Sequence, residues 1–372
     1  MKIALFTDSF LPGVGGTENA VFNYASALSK EHEVVVFAPK YTQEFCDTDK
    51  PFKIVRAKSI GVTKNDFFAM PYFTKEVKKT LLEFAPDIIH CNTVGQMTAY
   101  PLKFGKKHKI PVVCTLHTKF KYCYIHDLKS KFLANILLKF VMRRIKKADA
   151  VTAVSFDMKE EARSYGIKND ITVIKNGLNA PTGESLKKTP TKIFTFLYVG
   201  MISEFKNIAF SLRALAKVKE KNSQFIFNIV GRGSDVKKFQ NLTKELGLEE
   251  QVNFVGVVKD KKVLNSYYSN ADLFLFPSVF DNDALVLLEA GFQGTPSLVL
   301  RNTGSAERIV ENESGFATEN DLDAYANKIL ELMNDKSLLE KVGERAKSIY
   351  TPWEDTVIKY LDFYKQTIKN YK

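Results

Sequence analysis

Short apolar runs recur along almost the whole chain, each of strand length and most followed by a stretch with helical spacing. The first six are KIALFT, HEVVVFA, PDIIH, PVVCTL, DAVTAVS and ITVIKN, and five more follow as IFTFLYVG, FIFNIVG, VNFVG, DLFLFP and PSLVL. They are apolar nearly throughout instead of alternating. Runs of this kind predict parallel strands covered by helices on both faces, and hence an α/β chain. The series pauses at NGLNAPTGESLKKTPTK, residues 176–192, whose Gly, Pro, Ser, Thr and Lys show no periodicity and mark a linker. Two doubly wound parallel-sheet halves of similar size follow. Each is expected to place ligands beyond the carboxyl ends of its strands, with the natural site in a cleft between them. The tail TPWEDTVIKYLDFYKQTIKNYK reads as a terminal amphipathic helix, with Thr351 as cap, Pro352 at the first helical position and Trp353, Tyr360 and Phe363 as packing residues.

Length and composition sharpen this picture. At 372 residues the chain exceeds the usual reach of one core, in keeping with two domains. Its 45% hydrophobic and 26% charged residues are those of a soluble globular protein and exclude disorder. The most apolar stretch, KFLANILLKFVM, is interrupted by Lys139 and falls short of the roughly 20 residues a bilayer crossing needs. MKIALFTDSF lacks a small-residue cleavage pattern and reads as a strand, not a signal peptide, so a cytoplasmic location is expected. Cys46, Cys91, Cys114 and Cys123 form no CxxC pair and have no His at ligand spacing, which predicts reduced thiols and neither disulfides nor zinc.

The net charge of +12 favours anions or anionic surfaces as partners. Part of it is concentrated between Lys119 and Lys147, where nine Lys or Arg, among them Lys121, Arg143 and Arg144, face only Asp127. Phe120, Tyr122, Tyr124, Phe132 and Phe140 are interleaved with them. The segment is either a solvated helix face over a packed one or an element that lies on a membrane surface, where cations meet anionic headgroups and aromatics enter the interface. Nucleic acid is the weaker partner, since no binding motif accompanies the charge.

Several strand ends carry candidate chemistry. After the first strand, TDSFLPGVGGTENAV crowds Gly13, Gly15 and Gly16 into a turn before a helix, with Thr17 as its cap and Val21, Tyr24 and Leu28 on its apolar face. Bare backbone and helix-terminal N–H groups suit a phosphate, although a purely structural turn has the same pattern. The spacing is neither a Walker A loop nor the GxGxxG fingerprint. In the second half, LYVGMISEFKN puts Lys206 beyond a strand, and NIVGRGSD puts Arg232 between two glycines beyond the next. Two cations there would suit a diphosphate, whose charge grows as its bond to a sugar breaks. His117, in CTLHT, closes an apolar strand and could hydrogen-bond a sugar or phosphate, or be a satisfied structural histidine. No metal-ligand motif and no Gly-x-Ser-x-Gly elbow is present. Finally, SVFDND leads into the apolar helix ALVLLEAGFQG, with Asp281 in the loop and Glu289 about two turns into the helix, roughly 12 Å along its axis. That separation is too long for an acid/base pair on one bond and suits a grip on two ends of an elongated ligand. A buried Glu needs partners, either ribose or sugar hydroxyls or backbone amides.

Taken in order, FLPGVGGTENAV, PDIIH, TLHT, VTAVS, VIKNG, YVGMISEFKN, IVGRGSD, FPSVFDNDALVLLEAGFQGTP and GSAERIVENESGF resemble a family 4 glycosyltransferase of the GT-B fold over nearly the full length. The resemblance implies an acceptor-side Rossmann-like domain over residues 1–176, a nucleotide-sugar domain over 177–350 and a terminal helix, 351–372, that crosses back to the first. It implies that Glu289 bonds the ribose, while Asp281 and the backbone of Asn282, Asp283 and Ala284 hold the donor sugar. Gly200 and Leu285 would complete the donor site, Gly15 and Gly16 would lie against the diphosphate, His117 against the transferred sugar, and Lys206 matches the diphosphate lysine. Two positions depart from the pattern: Met201 stands where an Arg is usual, and Asp281 shortens the first Glu. Arg232 would replace the lost charge.

The activity so implied is retaining transfer of a hexose from a nucleoside diphosphate sugar, with UDP favoured, to a hydroxyl acceptor, and without a metal or other cofactor. The basic aromatic segment, with Lys119, Lys121, Tyr122, Arg143 and Arg144, favours a membrane lipid or lipid-linked glycan met from the cytoplasmic side. A soluble sugar or polysaccharide acceptor, a nucleotide-sugar epimerase of the same architecture and a non-enzymatic anion-binding protein remain as alternatives.

Overall fold

The computed structural model describes residues 1–13, 15–42, 45–61, 67–179 and 193–371, with the side chains of His126 and Asp127 excepted. Most of the expected linker, 180–192, lies outside them. The chain divides into two units, Met1–Gly177 with Pro352–Lys372, and Leu178–Thr351.

The first unit alternates strands and helices in the order β1 (Lys2–Phe6), α1 (Gly16–Leu28), β2 (Glu33–Pro39), β3 (Lys53–Ala57), the small antiparallel pair β4 (Ser59–Gly61) and β5 (Phe67–Ala69), α2 (Lys75–Phe84), β6 (Ile88–Cys91), α3 (Gln96–His108), β7 (Val112–Leu116), α4 (Phe120–Leu128), α5 (Lys131–Ile145), β8 (Ala150–Ala153), α6 (Phe156–Ser164) and β9 (Ile171–Val173). The main sheet is parallel, in the order β3-β2-β1-β6-β7-β8-β9. Ile3, Ala4, Leu5 and Phe6 have no exposed surface, because both faces of the inner strand are covered, and this is why the run reads as uniformly apolar. Alternate residues belong to separate clusters, Ala4 and Phe6 to one and Ile3 and Leu5 to the other.

The second unit runs β10 (Phe194–Val199), α7 (Ile208–Lys221), β11 (Phe225–Val230), α8 (Val236–Glu245), β12 (Val252–Gly256), α9 (Lys261–Asn270), β13 (Leu273–Phe276), α10 (Leu285–Phe292), β14 (Ser297–Leu300), β15 (Phe316–Thr318), α11 (Leu322–Met333) and α12 (Lys336–Ala346). Its sheet has the order β12-β11-β10-β13-β14-β15, again parallel. In each sheet the chain leaves the first strand toward one edge and returns beside it toward the other. The reversal lies between β1 and β6 in one unit and between β10 and β13 in the other. Loops leaving the carboxyl ends at such a reversal diverge and leave room for a ligand.

The last helix, α13 (Trp353–Asn370), packs on α1 of the first unit. Tyr364 lies at the centre of a buried polar chain: its hydroxyl is 2.5 Å from that of Tyr24 and 2.5 Å from His90 Nδ1. His90 Nε2 meets the Thr115 hydroxyl at 2.6 Å, which meets Thr152 at 2.5 Å. Each of these groups finds a partner inside, which offsets the cost of taking it out of water.

Three helix starts differ from expectation. Helix α1 begins at Gly16 with extended Gly15 as its N-cap, so Thr17 lies within the first turn and caps nothing. Helix α13 begins at Trp353 with Pro352 in the capping position, leaving Thr351 outside. Helix α10 begins at Leu285 with Ala284 as N-cap, so Glu289 is its fifth residue, only slightly more than one turn in.

Candidate active site

The reversal in the second sheet explains one pairing that spacing alone does not. Lys206 follows β10 in a short 3-10 turn, Glu204–Lys206, and Asp281 follows β13, the strand beside it. Their side chains meet at 2.5 Å, Lys206 Nζ donating to Asp281 Oδ1, both about four-fifths buried. Asp281 Oδ2 is buried with no hydrogen-bond partner among the described residues. An ammonium has three donors, so one held by Asp281 leaves two for a ligand. Nearby Tyr198 donates its hydroxyl to Met201 O at 2.9 Å, and burial together with the Asp281 charge pushes its phenol well above the usual range.

The turns after β10 and β11 nest against each other. Gly231 has φ +143°, and a Cβ there would sit 1.9 Å from Gly200 O. Only glycine allows this approach. Arg232 occupies the same turn with its side chain exposed, and its carbonyl accepts from Ile202 N at 2.9 Å. Met201 is 51% exposed, so the position where the resemblance expects a cation carries an apolar chain in water.

Asn282, Asp283, Ala284 and Leu285 carry the chain from Asp281 into α10. The Asp283 carboxylate is committed elsewhere: Arg308 grips it with two donors, Nε to Oδ1 and Nη2 to Oδ2, the latter at 2.8 Å. Both side chains are almost fully buried. Glu289 Oε2 accepts from the Tyr268 hydroxyl at 2.7 Å. Burial raises the Glu289 carboxyl above the ordinary range, while Tyr268 and Lys261 oppose the shift. The partner of Glu289 in the described residues is thus a phenol and not the backbone.

In the first unit, Gly15 and Gly16 stand at the start of α1, and Val14 lies outside the described residues. A Cβ on Gly16 would meet nothing within 4 Å, so the backbone there is open. His117 follows β7, with Nε2 3.4 Å from Oδ1 of Asn92, which follows β6. Asn92 is 3% exposed and its Nδ2 has no hydrogen-bond partner among the described residues. Asp8 accepts from Thr93 Oγ1 at 2.6 Å, Gly95 N at 2.8 Å and Met97 N at 3.0 Å, and so caps the entry to α3. Burial lowers His117 to about 4 and His90 to about 3, the His117 charge also lowering His90.

NMR titration of the imidazoles is expected to find His90 and His117 neutral at pH 5. Their folded pKa values lie below the unfolded value near 6.5, so the stability tied to them is full above pH ~6.5 and is lost as pH falls through about 4 and then about 3. The raised carboxyls of Asp8 and Glu289 oppose this trend. A charged His90 at pH 5 would mean that water reaches the chain of hydroxyls around it.

The basic segment is corrected in part. Lys119 is 8% exposed and pairs with Asp157 at 2.6 Å, so it is an internal cation and not a surface one. The charge pattern could not show this because Asp157 comes from α6, beyond the whole basic run. Arg144 lies over the Phe140 ring at 4.6 Å and reaches Gly95 O at 3.4 Å. Lys121, Tyr122 and Arg143 are exposed. Helix α5 buries Ala134, Leu138, Val141, Met142 and Ile145, yet its other face exposes Phe132, Leu133, Ile136 and Phe140 beside Lys139 and Arg143. No helix of the described residues is long and apolar enough to cross a membrane. Among those residues no cluster of three or more His, Cys, Asp or Glu could hold a metal ion, and Cys46, Cys91, Cys114 and Cys123 form no disulfide.

Residues that spacing did not single out are Asn92, Tyr268 and Arg308. Each acts through a partner on another element, and the order of the strands that brings them together is not written in the local pattern.

The family model described as Glycosyltransferase Family 4 matches residues 14–180, and that described as Glycosyl transferases group 1 matches residues 184–349. An alpha-monoglucosyldiacylglycerol synthase from Streptococcus pneumoniae is 27% identical, over 92% of this chain and 82% of that protein. Among solved structures, the sucrose-phosphate synthase of Thermosynechococcus elongatus superposes with a TM-score of 0.81 at 20% identity, covering 99% of both chains. The Anabaena HepE protein in complex with UDP-glucose gives 0.75 at 18% identity, covering 99% of both.

Proposed function

The chain belongs to the family 4 glycosyltransferases and has their GT-B fold, and from that premise we propose that it moves a hexose from a UDP-sugar to a hydroxyl of a membrane lipid, with retention at the anomeric carbon. It is a hexosyltransferase by its domains and relatives. The observation that carries the finer reading is the Lys206–Asp281 pair at the reversal of the second sheet, with Glu289 on the helix that the same loop opens.

The chemistry asks for stabilisation of the diphosphate as it departs and of the sugar cation that develops beside it. Lys206, aimed by Asp281, and Arg232 in the adjacent turn supply positive charge to the phosphates. Glu289 accepts from the ribose hydroxyls. The free oxygen of Asp281 and the backbone of residues 282–284 hold the sugar; the Asp283 side chain does not, because Arg308 already occupies it. His117, neutral at pH 7, offers a hydrogen bond to a sugar hydroxyl. The leaving phosphate takes the acceptor's proton on the face where it departs, so no side-chain nucleophile is required.

For the acceptor, the exposed apolar stripe of α5, bordered by Lys139 and Arg143, suits an anionic lipid surface. The Streptococcus relative is named for a glucosyldiacylglycerol product, which favours a lipid hydroxyl. Vesicles of phosphatidylglycerol should carry the protein upward in a flotation gradient at low salt. Each cation near such a surface is worth about 1 kcal/mol, so Lys139→Gln with Arg143→Gln should weaken binding about thirtyfold. Protein that stays at the bottom of the gradient in low salt would remove the membrane from the reading.

The transferase reading is tested by incubating the protein with UDP-glucose, UDP-galactose and UDP-N-acetylglucosamine, with and without diacylglycerol vesicles, and weighing all products. A hexosyl lipid is expected. A changed free nucleotide sugar formed without acceptor would make it an epimerase, and no product with UDP bound no better than polyphosphate would make it a simple anion binder.

A further inference from the structure

We propose that Arg308 is a positioning residue for sugar transfer, acting with Asp283 to aim the loop that carries Asp281; this rests on the donor site assigned above. Three contacts bolt residues 281–283 to the 3-10 turn Gly304–Arg308, which follows β14. Arg308 takes both oxygens of Asp283 in a fork. Gly304 lies against the backbone of Asn282, so closely that a Cβ would come within 2.4 Å of Asn282 O and 2.7 Å of its Cα. Ser305 Oγ donates to Asp281 O at 3.4 Å. The turn itself is fixed, since Thr303 caps it at Ala306 N and donates to Leu300 O at 2.8 Å.

A buried carboxylate–guanidinium pair is an odd choice for stability alone, because a well-packed apolar pair of similar volume commonly serves as well or better. What the fork adds is direction: two parallel hydrogen bonds fix both the distance and the plane of the partner. The loop needs that, because Asp281 must meet Lys206 on one oxygen while its other oxygen stays free. The side chains of Asp283 and Arg308 are engaged with each other. They set where Asp281 stands.

The test uses three proteins, the wild type, Arg308→Lys and the double variant Asp283→Leu with Arg308→Met, with UDP-glucose and diacylglycerol in phosphatidylglycerol vesicles as probes. Turnover, the melting temperature and the Kd for UDP are measured for each. Lysine keeps the charge and loses the fork, and the apolar pair keeps the packing and loses the direction. Both variants are expected to lower kcat at least tenfold, with UDP affinity within threefold of wild type and the apolar pair melting no lower than wild type. A kcat within twofold of wild type in either variant overturns the proposal, as does a loss of kcat that only tracks lost folding or lost UDP affinity. A wild type that neither binds UDP nor turns over UDP-glucose overturns the donor reading itself, and this proposal with it.

Discussion

Replacing Lys206 by alanine is expected to lower kcat about a hundred- to a thousandfold, the loss of roughly 2.7–4 kcal/mol that follows when one preorganised charge donor is taken from a developing oxyanion. The size of the effect follows from where the ammonium sits. It is mostly buried, held at 2.5 Å by Asp281, and so costs little reorganisation when the diphosphate takes on charge. Arg232 is exposed on the neighbouring turn and Met201 carries no charge, whereas Lys206 is a cation with a fixed aim at this reversal. The loss should fall on kcat with UDP-glucose more than on UDP binding, since the added charge appears only as the sugar bond breaks. Unchanged turnover in Lys206→Ala would remove the diphosphate from this loop.

Glu289→Gln is expected to separate stability from binding. Burial holds the folded carboxyl above its unfolded pKa. Its contribution to stability is therefore full below the unfolded value near 4.3 and is lost as pH rises through the raised folded value. At neutral pH the anion weighs against the empty fold, and glutamine removes that weight while its amide oxygen still accepts from Tyr268. The melting temperature should hold or rise. With Glu289 on the ribose as proposed, the nucleotide loses a charged acceptor worth about 1.5–3 kcal/mol, so the Kd for UDP should increase from about tenfold to over a hundredfold. Calorimetry with UDP and a thermal melt of the same sample decide it. A variant that melts lower and binds as before would make Glu289 a structural partner of Tyr268 alone.

The strands were legible because burial on both faces leaves no polar position to break the run, as at Ile3–Phe6 and Leu273–Phe276. Strand order was not, and order decides the site: Lys206 and Asp281 are 75 residues apart and meet only because β13 returns beside β10. The same limit hid Arg308, 25 residues beyond Asp283 and across β14. Counting charge assigned Lys119 to the surface because its counter-ion comes from a different helix. Cap positions shifted because an extended glycine before α1 and a proline before α13 end the preceding chain where side-chain patterns pointed one or two residues later or earlier. The apolar face of α5 was readable as a choice between two surfaces, and exposure of Phe132 and Ile136 gives the choice its physical content.

Tyr364 joins His90 and Tyr24 across 274 and 340 residues of chain. The first unit therefore cannot close its own interior until residues 353–370 have been synthesised. Without α13 the His90 imidazole and the Tyr24 phenol lose the buried hydroxyl that joins them, so this interior is completed by the last helix to be made.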